Sequence, residues 1–550
     1  MQTLLKHKRL DYVLLTLVLG VLFLTSLGNR PLASPDEGRY VEIPREMVET
    51  GDYVTPHLNG LKYFEKPPFV YWLEAIPLKL NLTSEFFLRL PIALFALIGC
   101  LGAYAYATRI YSRTAGYCSA IVLGTSLLYF SLAHVILLDL VLTVLISLGL
   151  FSFIVGIKLP TGAERRFHLG ITSVTFACAV LTKGLIGIVL PASIIGLWLL
   201  SLNKWKELLP LYLPTNLFLF FLIIVPWHLL MASQHPEFFD FYFIREHFER
   251  YLTTIHRRMQ PWWFFIPIGT LGFFPWVIFL PRAIKNFIPF RLKDWKIYDL
   301  EAFLIIWVTF IFLFFSFSSS KLIPYILPIF PPLAIIVGRF LAYILQGEQS
   351  TKKEAIGYLG ASATIVGGAL FFLKGHGDST LVTQLAPYIP YIGFYLMGGA
   401  VVFFILSFLN KTKWKLAGLL IFHVGFLFTL NTASPLIQKS SMKPFAQYIK
   451  ESLPEGTEVA FYGMYAQDLP FYLGHSVKIL NWSGELDAGK ELDPQNSIFL
   501  TDSSFKKWWD TARSVCVVCR ENSVPGIPFS KRNNYKIVYH HDEFALVCKK

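Results

Sequence analysis

The chain has 550 residues, of which 54% are hydrophobic, 16% are aromatic and only 15% are charged. This composition is too apolar for a soluble enzyme and predicts an integral membrane protein. The formal net charge of +13 does not indicate nucleic-acid binding, because the basic residues are spread through short loops between apolar segments.

The predicted elements begin with an uncleaved membrane span. Lys6, Lys8 and Arg9 precede an apolar stretch that ends near Leu27, and no convincing cleavage site follows it. Apolar runs near the length that crosses a bilayer, about 20 residues, recur about thirteen times. They begin near residues 11, 86, 116, 137, 168, 186, 210, 263, 300, 323, 355, 387 and 416. The sequence therefore predicts a mainly α, polytopic membrane fold.

Basic clusters predict the orientation of these spans, since cytoplasmic loops carry an excess of Lys and Arg. If the N-terminus is cytoplasmic and the spans alternate, the basic clusters near residues 109–113, 158–166, 204–206, 282–296, 352–353 and 411–415 all lie inside. The same alternation places five regions on the outer side: the loop 34–68, the Asp139 end of a span, Lys183, the loop 233–262 and the segment 318–321.

The first outer loop concentrates acidic and basic residues between strongly apolar segments of the chain. Asp36, Glu37 and Arg39 stand near its start, and Glu65 and Lys66 stand near its end. Carboxylates beside cations and aromatic rings suit the binding of a phosphate and a sugar. The alternative is a solvated loop, or a helix start with acidic residues in its first turn.

A second carboxylate, Asp139, stands in an almost wholly apolar segment. Acids near a hydrocarbon span are rare and often functional. The alternative is a buried ion pair with Lys183 or Arg89 that only fixes helix packing. Lys183 stands at an outer junction of two spans, and Tyr325 follows Lys321 in a proline-rich helix start of the kind that often lines a cavity.

The outer loop 240–251 adds further polar side chains, among them His247 and Arg250. We predict Arg250 as a substrate-binding residue and His247 with Glu65 as a metal pair. No short Cys/His ligand motif accompanies this pair.

From about residue 435 onward the apolar runs shorten to strand length, at 458–463, 497–501, 515–519 and 544–548. This change predicts a small soluble α/β domain. The division is therefore a membrane domain at 1–434 and a soluble domain at 435–550. A helix at 442–453 opens this second domain. Cys516, Cys519 and Cys548 allow one disulfide if the domain lies outside the cytoplasm, whereas a zinc site would lack an evident fourth ligand.

Several of these motifs together resemble a known family. They are Asp36-Glu37-Gly38-Arg39-Tyr40, Tyr63-Phe64-Glu65-Lys66-Pro67, Asp139, Leu181-Thr182-Lys183-Gly184, Glu246-His247-Phe248 and Lys321-Leu322-Ile323-Pro324-Tyr325. The combined pattern is similar to that of the GT-C polyprenyl-phosphate-sugar glycosyltransferases of the protein O-mannosyltransferase superfamily. Within them it most resembles the bacterial lipid A aminoarabinose transferases. The similarity extends from the N-terminus to about residue 435.

The resemblance implies a donor, undecaprenyl phosphate carrying 4-amino-4-deoxy-L-arabinose, and an acceptor, a phosphate of lipid A. It implies that the catalytic carboxylates are Asp36 and Asp139, and Glu37 is a further candidate beside the first. Lipid-phosphate contacts are implied for Arg39, Tyr63, Lys66, Lys183 and Tyr325. A divalent ion, zinc or magnesium, is implied at Glu65 and His247. The enzyme would lie in the bacterial inner membrane, with its active site and C-terminal domain facing the periplasm and membrane lipids around it.

Three alternatives remain open. A related transferase would move mannose, galacturonate or another lipid-linked sugar to protein or core oligosaccharide. A lipid-sugar transporter would place polar residues toward the bilayer midplane, whereas here they gather at the outer boundary. A binding or structural protein would need none of these side chains for chemistry.

Overall fold

The computed structural model describes residues 2–203, 205–242, 259–288, 291–347, 350–375, 385–409, 412–437, 441–482, 484–493, 496–529 and 534–550. These residues form two compact units. The first comprises residues 1–27 and 89–437, and the second comprises residues 28–88 and 438–550.

The first unit is helical. Its main helices are Gln2–Leu24, Glu85–Ile110 (whose first turn belongs to the second unit), Arg113–Thr125, Leu127–Leu132, Leu138–Lys158, Ala163–Lys183, Ile186–Leu202, Leu213–Gln234, Phe265–Gly272, Leu280–Phe287, Asp299–Phe317, Phe330–Gln346, Lys352–Gly375, Ile389–Gly393, Gly399–Leu406 and Thr412–Ile437. Short 3₁₀ helices lie at Trp205–Leu208, Trp262–Phe264, Trp276–Phe279, Leu292–Lys296, Ile323–Ile329 and Ala386–Tyr388. A short π-helix lies at Phe394–Gly398.

Within the described residues, eight helices are long and apolar enough to cross a membrane, or nine if a pair bent by 101° counts as one span. The protein is therefore a polytopic membrane protein. A helix begins within a few residues of each predicted position except the first, whose helix begins at Gln2. The count of thirteen spans stays a prediction. The predicted spans near residues 168 and 186 are not among these eight helices. Ala163–Lys183 carries charged residues at both ends, and Ile186–Leu202 has only 17 residues.

The helices Leu138–Lys158 and Ala163–Lys183 form a closely packed pair in this unit. Only four residues connect them, which makes them antiparallel neighbours. Gly149 permits the close approach, because a Cβ there would lie 2.3 Å from the ring of Phe176. The start of the first helix and the end of the second therefore lie at the same end of the pair.

The second unit is an α/β domain with a six-stranded sheet and a separate two-stranded hairpin. The hairpin strands are β1 (His57–Leu58) and β2 (Leu61–Lys62), and the sheet strands are β3 (Glu458–Tyr462), β4 (Lys478–Leu480), β5 (Phe499–Leu500), β6 (Val515–Arg520), β7 (Tyr535–His541) and β8 (Phe544–Lys549). The sheet order is β5-β4-β3-β6-β8-β7, parallel from β5 to β6 and antiparallel from β6 to β7. The helices are Asp36–Thr50, Phe69–Lys79, Lys443–Ser452, Asp468–Leu473, Asp487–Leu492 and Asp502–Thr511, with a tighter turn at Glu521–Gly526.

The sheet buries an apolar core on the face covered by the helix Asp502–Thr511. Phe505 and Trp509 of that helix pack against Val517 and Val547 of β6 and β8. The central strand β6 is buried along five of its six residues, which is typical of a strand covered on both faces. Cys516 of β6 is bonded to Cys548, its direct neighbour on β8, and Cys519 is a buried free thiol.

The first outer loop belongs to this second unit, which differs from the predicted division at residue 435. Asn59, at the tip of the β1–β2 hairpin, exchanges two hydrogen bonds with the backbone of Val477, at 2.8 and 2.9 Å. Glu85 pairs with Lys443 at 2.5 Å. These contacts join segments about 400 residues apart, and no local pattern in either segment reports them.

Candidate functional site

In the helical unit, Asp139 and Lys183 form an ion pair. Asp139 lies in the first turn of the helix Leu138–Lys158, and Lys183 is the last residue of Ala163–Lys183. The Lys183 Nζ lies 2.5 Å from Asp139 Oδ1, and the side chains are 17% and 14% exposed. The helix dipole stabilises an acidic residue at the start of a helix and a basic residue at its end. Of the two partners that the sequence offers for Asp139 as an alternative to a functional role, the structure pairs it with Lys183. Arg89 donates to the carbonyl oxygen of Leu27 at 3.0 Å.

Tyr325 completes this group, which we call the Asp139 cluster (Asp139, Lys183 and Tyr325). The Lys183 Nζ lies 4.6 Å from the centroid of the Tyr325 ring. A cation over a tyrosine face is stabilised by the ring quadrupole. The side chain of Phe315 packs against the same ring, with centroids 5.3 Å apart. One ammonium group is thus held between a carboxylate and an aromatic face while part of it stays accessible.

Lys321, four residues before Tyr325, has a different environment. Lys321 is 6% exposed, and its Nζ donates to the carbonyl oxygens of Ser318 at 2.6 Å and Gln260 at 2.9 Å. These bonds close the irregular segment that precedes the turn Ile323–Ile329. Lys321 therefore shapes the backbone that carries Tyr325.

In the α/β unit, the adjacent acids Asp36 and Glu37 have opposite environments. Glu37 is fully buried and accepts from Arg30 at 2.5 and 3.1 Å and from the Ala33 amide at 2.9 Å. The Asp36 side chain is 52% exposed, and its carboxylate lies 3.4 Å from Arg39. Glu37 therefore makes the contacts of a structural ion pair at the helix start, and Asp36 presents the accessible carboxylate.

Arg39 connects the first outer loop to the C-terminal segment. Its guanidinium pairs with Glu485, and Glu485 also accepts from Gln467. Burial raises the pKa of the Glu485 carboxyl above its ordinary value, although the nearby Arg39 opposes this effect. The sequence analysis does not identify Glu485 or Gln467, because each stands in a polar segment without a distinguishing motif.

Buried tyrosines surround this ion pair. The hydroxyls of Tyr63, Tyr71 and Tyr465 and the Arg39 Nε are buried and make no hydrogen bond within the described residues. Burial raises the pKa of Tyr63 well above its ordinary value, so its hydroxyl stays a donor. A buried polar group without a partner costs about 1–3 kcal/mol. Several such groups around one cation favour a ligand rich in oxygen atoms, such as a sugar.

Glu65 and Lys66 stand side by side, half-buried, near the end of the loop. The Lys66 Nζ donates to the carbonyl oxygen of Glu65 at 2.7 Å. The other predicted residues of this group, His247 and Arg250, lie outside the described residues. Among the residues that the structure does describe, no three His, Cys, Asp or Glu side chains are grouped as metal ligands. The metal pair stays a prediction.

Two family models match the chain. Residues 13–242 match the model "Dolichyl-phosphate-mannose-protein mannosyltransferase", and residues 445–549 match "Aminoarabinose transferase C-terminal domain". The two matches fall on different parts of the chain and together include Asp36, Asp139, Lys183 and Glu485.

Relatives and a solved structure agree with these matches. The undecaprenyl phosphate-alpha-4-amino-4-deoxy-L-arabinose arabinosyl transferase 1 of Proteus mirabilis is 31% identical over 66% of this chain and 64% of its own length. A homologous transferase of Enterobacter is matched over 61% of its length, so the chain spans less than two thirds of either relative in these alignments. The Erwinia tasmaniensis transferase is 27% identical over 93% of this chain and 92% of its own.

The crystal structure of ArnT from Cupriavidus metallidurans bound to undecaprenyl phosphate superposes with a TM-score of 0.85. It is 27% identical in sequence, and the match covers 98% of this chain and 97% of that one. The helical unit and the α/β unit therefore both have counterparts in one solved protein. Over nearly its whole length the chain is therefore similar to a GT-C polyprenyl-phosphate-sugar glycosyltransferase of the protein O-mannosyltransferase superfamily.

Proposed function

We propose that this protein transfers 4-amino-4-deoxy-L-arabinose from undecaprenyl phosphate to a phosphate of lipid A. The observation that carries the proposal is the match along nearly the whole chain to a transferase structure that contains undecaprenyl phosphate. The names of the Proteus and Erwinia relatives state the same lipid carrier and sugar for those proteins. The lipid A acceptor is the part of the proposal that rests on the family resemblance.

The Asp139 cluster suits the departure of a lipid phosphate. When the bond from the sugar to the phosphate breaks, the phosphate gains a negative charge, and a positioned cation stabilises that charge. Lys183 is such a cation, held by Asp139 at 2.5 Å and by the Tyr325 ring. We assign phosphate contact to Lys183 and Tyr325, and we assign to Asp139 the orientation of the ammonium group.

Asp36 suits the sugar half of the reaction. Its exposed carboxylate is able to balance positive charge at the anomeric carbon or at the sugar amine. The acceptor phosphate is already ionised at neutral pH, so its attack needs no strong base. We therefore assign to Asp36 charge balance and substrate positioning, and to Arg39 and Tyr63 the contacts that hold the sugar phosphate.

We place the reaction on the periplasmic face of the bacterial inner membrane. Basic loops predict that the loop 34–68, Asp139 and Lys183 face outward. The disulfide Cys516–Cys548 supports an oxidising compartment for the α/β unit. A metal at Glu65 and His247 is a further proposal, and metal analysis of the purified protein checks it.

A second candidate is a transferase of lipid-linked mannose, which the model matched at residues 13–242 favours. A reconstituted assay separates the two. The full chain in vesicles is supplied with lipid A and with undecaprenyl phosphate carrying aminoarabinose, mannose or galacturonate, and the acceptor is followed by mass spectrometry. We expect modification of lipid A with the aminoarabinose donor alone. Transfer from the mannose donor only, or from none of the three, would overturn the proposal.

A further inference from the structure

We infer that two consecutive residues of the C-terminal segment, Gln467 and Asp468, are positioning residues for the reaction. Three contacts, at residues 34, 38 and 39, connect them to the start of the helix Asp36–Thr50. The inference deepens the proposed function and rests on it for its kinetic readout. Its structural readout does not depend on any substrate.

Asp468 holds the backbone just before Asp36. It is fully buried, and its Oδ1 accepts from the Ser34 hydroxyl at 2.5 Å. Its Oδ2 accepts from the Ser441 hydroxyl at 3.0 Å and from the Met442 amide at 2.7 Å. One carboxylate thus ties the residue two positions before Asp36 to the start of the helix Lys443–Ser452. Because three donors occupy it and solvent does not reach it, Asp468 acts through Ser34.

Gly38 gives the second contact. A Cβ at this position would lie 2.5 Å from the Asp468 amide nitrogen and 2.8 Å from the Gln467 carbonyl carbon. Both are backbone atoms, which cannot rotate away as a side chain would. The first turn of the helix therefore lies directly on the peptide between Gln467 and Asp468, and only glycine fits there.

The third contact is indirect and connects Gln467 to Arg39 through Glu485. The Gln467 Nε2 donates to Glu485, and Glu485 pairs with the Arg39 guanidinium. Gln467 is 5% exposed, so this orientation of Glu485 is fixed by a buried partner. The three contacts fall at residues 34, 38 and 39, on both sides of the Asp36 carboxylate. Misplacement of a reacting group by about 1 Å reduces rate by about 10²-fold.

The kinetic test compares Asp468→Ala with Asp468→Asn in the full-length chain. The alanine variant loses every side-chain bond, and we expect its kcat to fall by about 10²-fold, with KM for the lipid-linked donor changed far less. The asparagine variant keeps an acceptor for the Met442 amide and a donor for Ser34, and we expect it to restore most of kcat. Asp502→Asn, an exposed position of the same unit, is the matched control.

The structural test is hydrogen exchange of the backbone amides of Glu37 and Arg39, which donate to Ala33 at 2.9 Å and to Pro35 at 3.0 Å. We expect faster exchange in Asp468→Ala and wild-type exchange in Asp502→Asn. Ser34→Ala serves if Asp468→Ala does not fold. It removes only the hydroxyl that donates to Asp468 Oδ1 at 2.5 Å and accepts from the Asp468 amide at 3.4 Å. It should show the same two effects, each smaller.

Unchanged kcat and unchanged exchange in Asp468→Ala, or in Ser34→Ala where it serves, would overturn the inference. A loss of kcat in Asp502→Asn equal to that of the test variant would overturn it as well. If wild-type protein transfers no sugar, the proposed function fails, and the exchange measurement still decides whether these residues position the helix start.

Discussion

Lys183 and Asp139 form an ion pair that joins the end of one helix to the start of its antiparallel neighbour, with 2.5 Å between Nζ and Oδ1. The basic loops predict that this end of the helix pair faces outward. A cation that is already oriented by a carboxylate does not need to reorganise when a phosphate gains charge beside it.

Replacing Lys183 with Met is expected to lower kcat by about 10²–10³-fold, because the departing phosphate loses its stabilising charge. Methionine keeps much of the side-chain volume beside Tyr325. Sugar transfer in reconstituted vesicles measures the effect. Lys206→Met, at an exposed position of the same unit, should retain wild-type transfer, and equal activity of the two variants would contradict the role of Lys183.

Asp36→Asn is expected to lower kcat by at least about 10²-fold, since a neutral amide does not balance positive charge on the sugar. The matched control is Glu49→Gln on the same helix, whose carboxylate is 61% exposed. Turnover and thermal stability are measured for both variants. We expect Asp36→Asn to keep wild-type Tm. Full activity of this variant would remove Asp36 from the reaction.

Arg30→Met tests the structural role of Glu37. The variant leaves the fully buried Glu37 carboxylate without its closest ion-pair partner, and breaking a buried pair costs about 3–5 kcal/mol. We therefore expect a marked fall in Tm of the purified protein, measured by loss of monodisperse protein on heating. A wild-type Tm together with lost transfer would instead point to a direct role of this pair in chemistry.

The stability of the α/β unit is expected to depend on pH through Asp468. Burial raises the pKa of Asp468 to about 6 from an ordinary value of 3.8. The folded state therefore binds the proton more tightly than the unfolded state, and stability is lost as pH rises from about 4 through 6. The loss amounts to about 3 kcal/mol above pH 6.

Asp468→Asn removes this titration. The Tm of the variant minus that of wild type should therefore increase between pH 4.5 and 7.5. Thermal unfolding at both pH values measures the difference. Asp502→Asn should show no such trend, and a constant difference for Asp468→Asn would contradict the raised pKa.

The local sequence pattern predicts the helices and several strands, because the apolar periodicity of a segment indicates its secondary structure without information from the rest of the chain. Strands β3, β5, β6 and β8 were expected from short apolar runs, and the helix Lys443–Ser452 was expected at 442–453. Strand β4 has only three residues, and β7 ends in His540 and His541. Neither has the apolar run on which strand prediction depends.

The candidate site was predicted where residues carry unusual charge for their surroundings, as Asp139 does in an apolar helix. Glu485 and Gln467 lack such a contrast, because they stand in polar segments of the sequence. Only tertiary contacts connect them to Arg39: Glu485 pairs with Arg39, and Gln467 donates to Glu485. The assignment of residues 28–88 to the α/β unit was missed for the same reason. Contacts such as Asn59 with Val477 depend on tertiary structure and leave no periodicity in either segment.

The assembly of the α/β unit from two distant stretches of chain sets an order for biosynthesis. About 350 residues separate the end of its first segment from the start of its second. At about 5–20 residues per second, a ribosome needs roughly 20–70 s to synthesise that interval. Arg39 and Ser34 therefore lack their native partners Glu485 and Asp468 until the last stretch of the polypeptide has been synthesised. A nascent chain that is stalled before then cannot make the contacts that fix the start of the helix Asp36–Thr50.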